Sequence, residues 1–93
     1  MPPARSTIPA YVGANVKAWR QRRELTQEAL AEAAEIDIRF VQKIERGTVD
    51  VGVTVLVALA DALVVQPGVL LRAAAPSPQP KRGRPLKTRR VQR

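Results

Sequence analysis

The side chains in this sequence that could do chemistry are its cations. Its 93 residues hold sixteen Lys and Arg against eight Asp and Glu, a formal charge of +8, with no Cys and no His. Thiol chemistry, disulfides and imidazole acid–base work are thereby excluded. The carboxylates do not cluster as a metal site requires, and neither a nucleophile–base set nor a glycine-rich phosphate loop is present. No enzyme activity, metal or cofactor is expected. The cations are unevenly placed. Residues 1–75 carry nine Lys/Arg and all eight acids, net +1, whereas residues 76–93 carry seven Lys/Arg and no acid, net +7. A near-neutral body with a polycationic end points to a polyanionic partner; by charge alone, nucleic acid, anionic lipid and acidic protein all qualify.

The stretch from Thr26 to Gly47 reads as two short amphipathic helices with a few residues between. The first is expected to turn Ala29, Leu30 and Ala33 inward, with Ala31 and Ala34 beside them. The second turns Val41 and Ile44 inward, and Ile36 fills the corner. Helices this short are marginal alone, because nucleation is costly. They must lean on each other and on flanking helices, as in a helix-turn-helix, whose second helix can enter the DNA major groove.

The rest of the chain supplies those flanks. Residues 1–8 are expected to be disordered. Pro9 suits a first helical turn, and Val12, Val16 and Trp19 share one face of a helix over Ala10 to Arg23. Gly13 inside it costs ~1 kcal/mol against Ala. Leu25 drops into the core, Thr26 caps helix two over Gln27 to Ala34, and Asp37 caps helix three, which runs to Arg46. Gly47 is a C-cap glycine. Val49 to Val57 suits a strand by propensity, but Leu/Ala spacing continues to Leu63. That favours a fourth helix over Val53 to Leu63, with Val53, Leu56, Leu59, Ala60 and Leu63 inward. Pro67 starts a fifth, short helix that returns Leu70 to the core. The long apolar run of a membrane span is absent, and Met1-Pro2-Pro3-Ala4-Arg5 does not fit a secretory signal; a cytoplasmic protein is expected. Beyond Ala73 the prolines and charge density predict a disordered arm, residues 73–93.

Leu25-Thr26-Gln27-Glu28-Ala29-Leu30-Ala31, Ile36, Val41 and Ile44-Glu45-Arg46-Gly47 together resemble the phage-repressor (Cro/Xre-type) helix-turn-helix family, over roughly residues 10–72. The resemblance implies an all-α, compact five-helix repressor-like DNA-binding domain over residues 9–72. It places Asp37, Ile38 and Arg39, with Gln42 and Lys43 one turn on, against base edges in the major groove. A bidentate Arg39–guanine contact would supply ~1–3 kcal/mol of discrimination. Asp37 is expected chiefly to cap its own helix, and Phe40 to sit on the core rim. Gln27 and the N–H groups opening helix two, with Thr26, are implied to grip a phosphate; Arg46 and Thr48 are further phosphate candidates. Arg20 and Glu45 match a structural ion pair between helices one and three. The sequence departs from the family at three positions where glycine is usual: before Leu25, in the turn, and after helix four stand Glu24, Glu35 and Val64. A non-glycine residue held left-handed costs of order 1 kcal/mol.

In the arm, Pro80-Lys81-Arg82-Gly83-Arg84-Pro85 resembles an AT-hook. Arg82 and Arg84 would enter a narrow A·T minor groove on either side of Gly83, Pro85 would turn the chain away, and Lys87 would hold phosphate. The plainer reading is a nonspecific polycation.

These features predict a sequence-specific transcription regulator of double-stranded DNA, acting as a homodimer, with an interface near the surplus valines of helices four and five. The alternatives are an antitoxin-type adaptor with a protein partner, and a nucleoid-associated architectural protein.

Overall fold

The computed structural model describes residues 7–74. Their elements are α1 (Ile8–Arg22), α2 (Gln27–Ala34), α3 (Ile38–Glu45), α4 (Val53–Leu63) and a terminal 3-10 helix (Pro67–Leu71). The described region is all-helical, with four α-helices where five helices were expected. The fifth element is the single 3-10 turn. Pro67 opens it and Gly68 follows, a pair that starts a turn but does not favour a long helix. Leu70 still reaches the core and is fully buried. α1 starts at Ile8, two residues earlier than expected, with Pro9 inside its first turn.

The core is a single cluster from all five elements. Val12 and Val16 come from α1, Leu30, Ala31 and Ala34 from α2, Val41 and Ile44 from α3, Leu56, Leu59, Ala60 and Leu63 from α4, and Leu70 from the last turn. Two expected positions differ. Ala33 is exposed, while Ala31 and Ala34 flank Leu30 inside. An alanine lies on either side of Leu30, so hydrophobicity could not choose the rotation of α2. Val53 is 76% exposed. Helical side chains tilt toward the N-terminus, so the first residue of α4 is thrown back past the core edge.

The helix ends share one device. The N–H groups of Leu25, Ile36, Thr48 and Val65 each return five residues, to the carbonyls of Arg20, Ala31, Lys43 and Ala60. This closure needs a left-handed residue just before the donor. Gly47 supplies it once, at φ 75°, and Glu24, Glu35 and Val64 supply it at φ 58°, 60° and 61°. The turn between α2 and α3 therefore keeps its usual shape without glycine. Leu25, Ile36 and Val65 pack against the core immediately after their strained neighbours, which holds those conformations in place.

α1 and α3 meet backbone to backbone. A Cβ on Gly13 would lie 2.3 Å from the Ile44 carbonyl oxygen and 3.0 Å from that of Glu45. Close approach accounts for a glycine in mid-helix. Asn15 Nδ2 donates to the carbonyls of Leu70 (3.0 Å) and Arg72 (2.9 Å), tying the end of the domain to α1. The Arg23 guanidinium donates to the carbonyls of Leu63 (2.8 Å) and Val64 (3.1 Å), capping α4.

Candidate nucleic-acid interface

α3 is the shortest route from sequence to a presented probe. Its inner face, Val41 and Ile44, is buried, and Ile36 packs behind it. Its outer face carries Arg39, Lys43 and Arg46 in solvent. With Asp37, Phe40 and Gln42 they line a shallow open groove. Phe40, expected on the core rim, packs there against the core and also forms part of this groove wall. Ile38 is half-buried against the core, so only part of its side chain is available to a thymine methyl.

Asp37 caps α3, as expected: Oδ1 accepts the Arg39 backbone N–H at 2.7 Å. The same carboxylate also takes the Arg39 side chain, with Nε on Oδ1 at 3.1 Å and Nη2 on Oδ2 at 2.9 Å. These side-chain bonds, then the backbone bond, hold the Asp37 carboxyl down at about 2, and the side-chain bonds, then the Asp37 charge, push the Arg39 guanidinium up. Sequence reasoning missed this fork. The signal was present, an Asp cap followed by Arg two residues on.

The expected phosphate contacts gather at the start of α2 and the end of α3. Thr26 Oγ1 accepts from the Ala29 N–H at 3.0 Å, which leaves its own proton to give. The backbone N–H groups of Gln27 and Glu28 make no backbone bond and point out of the helix N-terminus. Gln27 Nε2 is turned inward to Glu45 Oε1 at 3.0 Å. Thr48 gives both its backbone N–H (3.3 Å) and its hydroxyl (3.2 Å) to the Lys43 carbonyl. It offers no donor outward in this conformation.

Behind the face lies the ion pair. Arg20 Nε donates to Glu45 Oε2 at 2.6 Å and Nη2 to Oε1 at 3.1 Å, with side-chain exposures of 13% and 5%. Arg20 Nη1 also donates to the Leu25 carbonyl at 2.9 Å. With Gln27 on the same carboxylate, one network joins α1, α2 and α3. Lys81, Arg82, Gly83, Arg84, Pro85 and Lys87 lie outside the described residues.

A solvent-facing cationic helix, held by a second helix across a left-handed turn, is a helix-turn-helix module. The chain belongs to the helix-turn-helix domain family, whose model matches residues 12–74. Over 62 residues it is 36% identical to an uncharacterized HTH-type transcriptional regulator, y4aM, of Sinorhizobium fredii; the match covers 67% of this chain and 43% of that relative. The restriction-modification controller protein C.AhdI of Aeromonas hydrophila superposes with a TM-score of 0.65 at 31% identity, over 67% of this chain and 94% of that one. A hypothetical transcription factor, NHTF, from Neisseria superposes at 0.69 with 26% identity, over 75% and 80% of the two chains.

Proposed function

We propose that this helix-turn-helix protein is a DNA-binding transcription regulator that reads duplex sequence with α3 in the major groove. The observation that carries the reading is the division of α3 itself. Val41 and Ile44 are buried, and the Arg39 side chain on the opposite side is 80% exposed. Arg39 and Lys43 then meet base edges, with Asp37, Ile38 and Gln42 beside them. The N-terminus of α2, through the Thr26 hydroxyl and the backbone N–H groups of Gln27 and Glu28, takes one phosphate, and Arg46 another. Relatives described as a transcriptional regulator and as a restriction-modification controller support the same role. The setting proposed is the cytoplasm; among the described residues no helix is long and apolar enough to cross a membrane.

Two further parts belong to the proposal. Val53, Val57 and Val64 are exposed on α4 and beside its end, with Leu71 exposed on the last turn. These apolar side chains are where we place a homodimer contact, for half-sites about one helical turn apart. The arm, through Arg82 and Arg84, adds minor-groove or phosphate affinity as a tethered second contact.

The test is selection of bound sequences from random duplex DNA, followed by the same selection with Arg39→Ala. Discrete sites are expected, with discrimination at one base pair relaxed by ~1–3 kcal/mol in the variant. Equal weakening on every sequence would refute base reading. Even coverage of A·T-rich DNA would favour the architectural alternative.

A further inference from the structure

From the fork between Asp37 and Arg39, we infer that Asp37 is a positioning residue for base recognition, holding the Arg39 guanidinium in the orientation that selects guanine. The inference rests on the reading of Arg39 as a base contact.

The cap alone does not call for an aspartate. Asn and Ser cap a helix as well as Asp does, and neither brings a negative charge toward DNA phosphates. Nor is stability the explanation, since the side chains of Arg39 and Asp37 are 80% and 52% exposed, and ion pairs in that setting contribute little. What Asp supplies, and Asn or Ser does not, is a second anionic oxygen. Oδ1 serves the backbone cap and Nε together, and Oδ2 takes Nη2.

The pattern of donors matters. A guanidinium is a rigid plane with five N–H groups. Bonds from Nε and one N–H of Nη2 use one side edge. The end edge, one N–H from each Nη, stays free and points along the side chain. That paired edge can span O6 and N7 of guanine. Asp37 therefore freezes the long side chain without consuming the donors that read. Ordering a rotamer-rich side chain on binding otherwise weakens a contact by about 2- to 12-fold. The benefit falls only on sites with guanine opposite Arg39, so it appears as specificity.

The experiment uses the full chain and the base position identified by Arg39→Ala. Wild type, Asp37→Asn and Asp37→Ser are titrated with duplexes that differ only there. Both substitutions retain a capping oxygen, and helix content by circular dichroism checks the fold of each. The guanine preference is expected to drop by about 2- to 12-fold in both, while binding to the duplexes without guanine there tightens as a negative charge is lost. In an Arg39→Ala background, Asp37→Asn should leave the preference unchanged. A wild-type preference in both Asp37 variants would overturn the proposal and leave Asp37 a helix cap only. A sharper preference would overturn it in the other direction, making Asp37 a competitor for Arg39. If Arg39→Ala itself leaves discrimination intact everywhere, the base-reading role fails, and the positioning role fails with it.

Discussion

Removing Arg20 should expose how much the domain depends on one network. Glu45 keeps only 5% of its side-chain surface in solvent and takes Arg20 in a fork at 2.6 and 3.1 Å. In Arg20→Ala that carboxylate is left with the Gln27 amide alone. A stranded buried charge costs ~3–5 kcal/mol. Arg20 is 13% exposed, so water partly refills its place and the lower figure, about 3 kcal/mol, applies. For a domain of this size that lowers Tm by about 12–24 °C. Glu45→Ala should cost less, about 2 kcal/mol, because Arg20 retains the Leu25 carbonyl at 2.9 Å. The double variant should lose clearly less than the two costs together, since neither charge is then orphaned. Urea unfolding followed by circular dichroism gives all four corners of the cycle. The fluorescence of Trp19, the single Trp, which lies under the Arg22 and Arg23 guanidinium groups, gives a second probe of two-state behaviour. A coupling energy below about 0.5 kcal/mol, or single variants each within 1 kcal/mol of wild type, would refute the network as described.

The Asp37 carboxyl, held at about 2 in the fold against 3.8 ordinarily, contributes only a small, solvent-screened stability, complete above about pH 4 and lost as the pH falls through about 2. An NMR titration of its side-chain carbonyl should show the low midpoint, and Arg39→Ala should raise it. Glu24→Gly, Glu35→Gly and Val64→Gly should each stabilise the domain. Relief of left-handed strain is ~1–2 kcal/mol, partly offset by ~0.4–1 kcal/mol from a freer unfolded chain, so thermal melts should show a raised Tm, and a lowered one would refute the strain. Deleting residues 76–93 should flatten the dependence of log K on log salt by ~0.9 for each phosphate contact removed; an unchanged slope would show the arm to be idle. Arg82→Ala with Arg84→Ala should weaken A·T-flanked sites most if the arm is a minor-groove hook, and all sites equally if it acts only as charge.

Local chemistry was what the sequence showed well. Thr26 and Asp37 as caps and Gly47 as a left-handed end follow from short-range rules, and all are present; the left-handed Glu35 was implied only by the family's usual glycine at that turn. The Arg20–Glu45 pair came from resemblance and is present with fork geometry. The Arg23 cap on α4 and the Asn15 hold on the last turn join residues some 40 and 55 positions apart, beyond the reach of periodicity. The rotation of α2 was undetermined because alanine flanks Leu30 on both sides. Gln27 shows the limit in another way. The resemblance implied an outward amide on a phosphate, whereas the amide donates inward to the buried Glu45 carboxylate, which Arg20 alone does not fully satisfy.

The missing side chain at Gly13 has a mechanical consequence. With no Cβ between them, the main chain of α1 bears directly on the last carbonyls of α3, and the two helices form one stiff strut. If α3 reads DNA as proposed, this strut would keep its face from tilting by itself to suit an imperfect operator. Whatever adjustment a poor site demands must come from bending or twisting of the duplex, so flexible base steps flanking the contacted positions should raise affinity even though no side chain touches them.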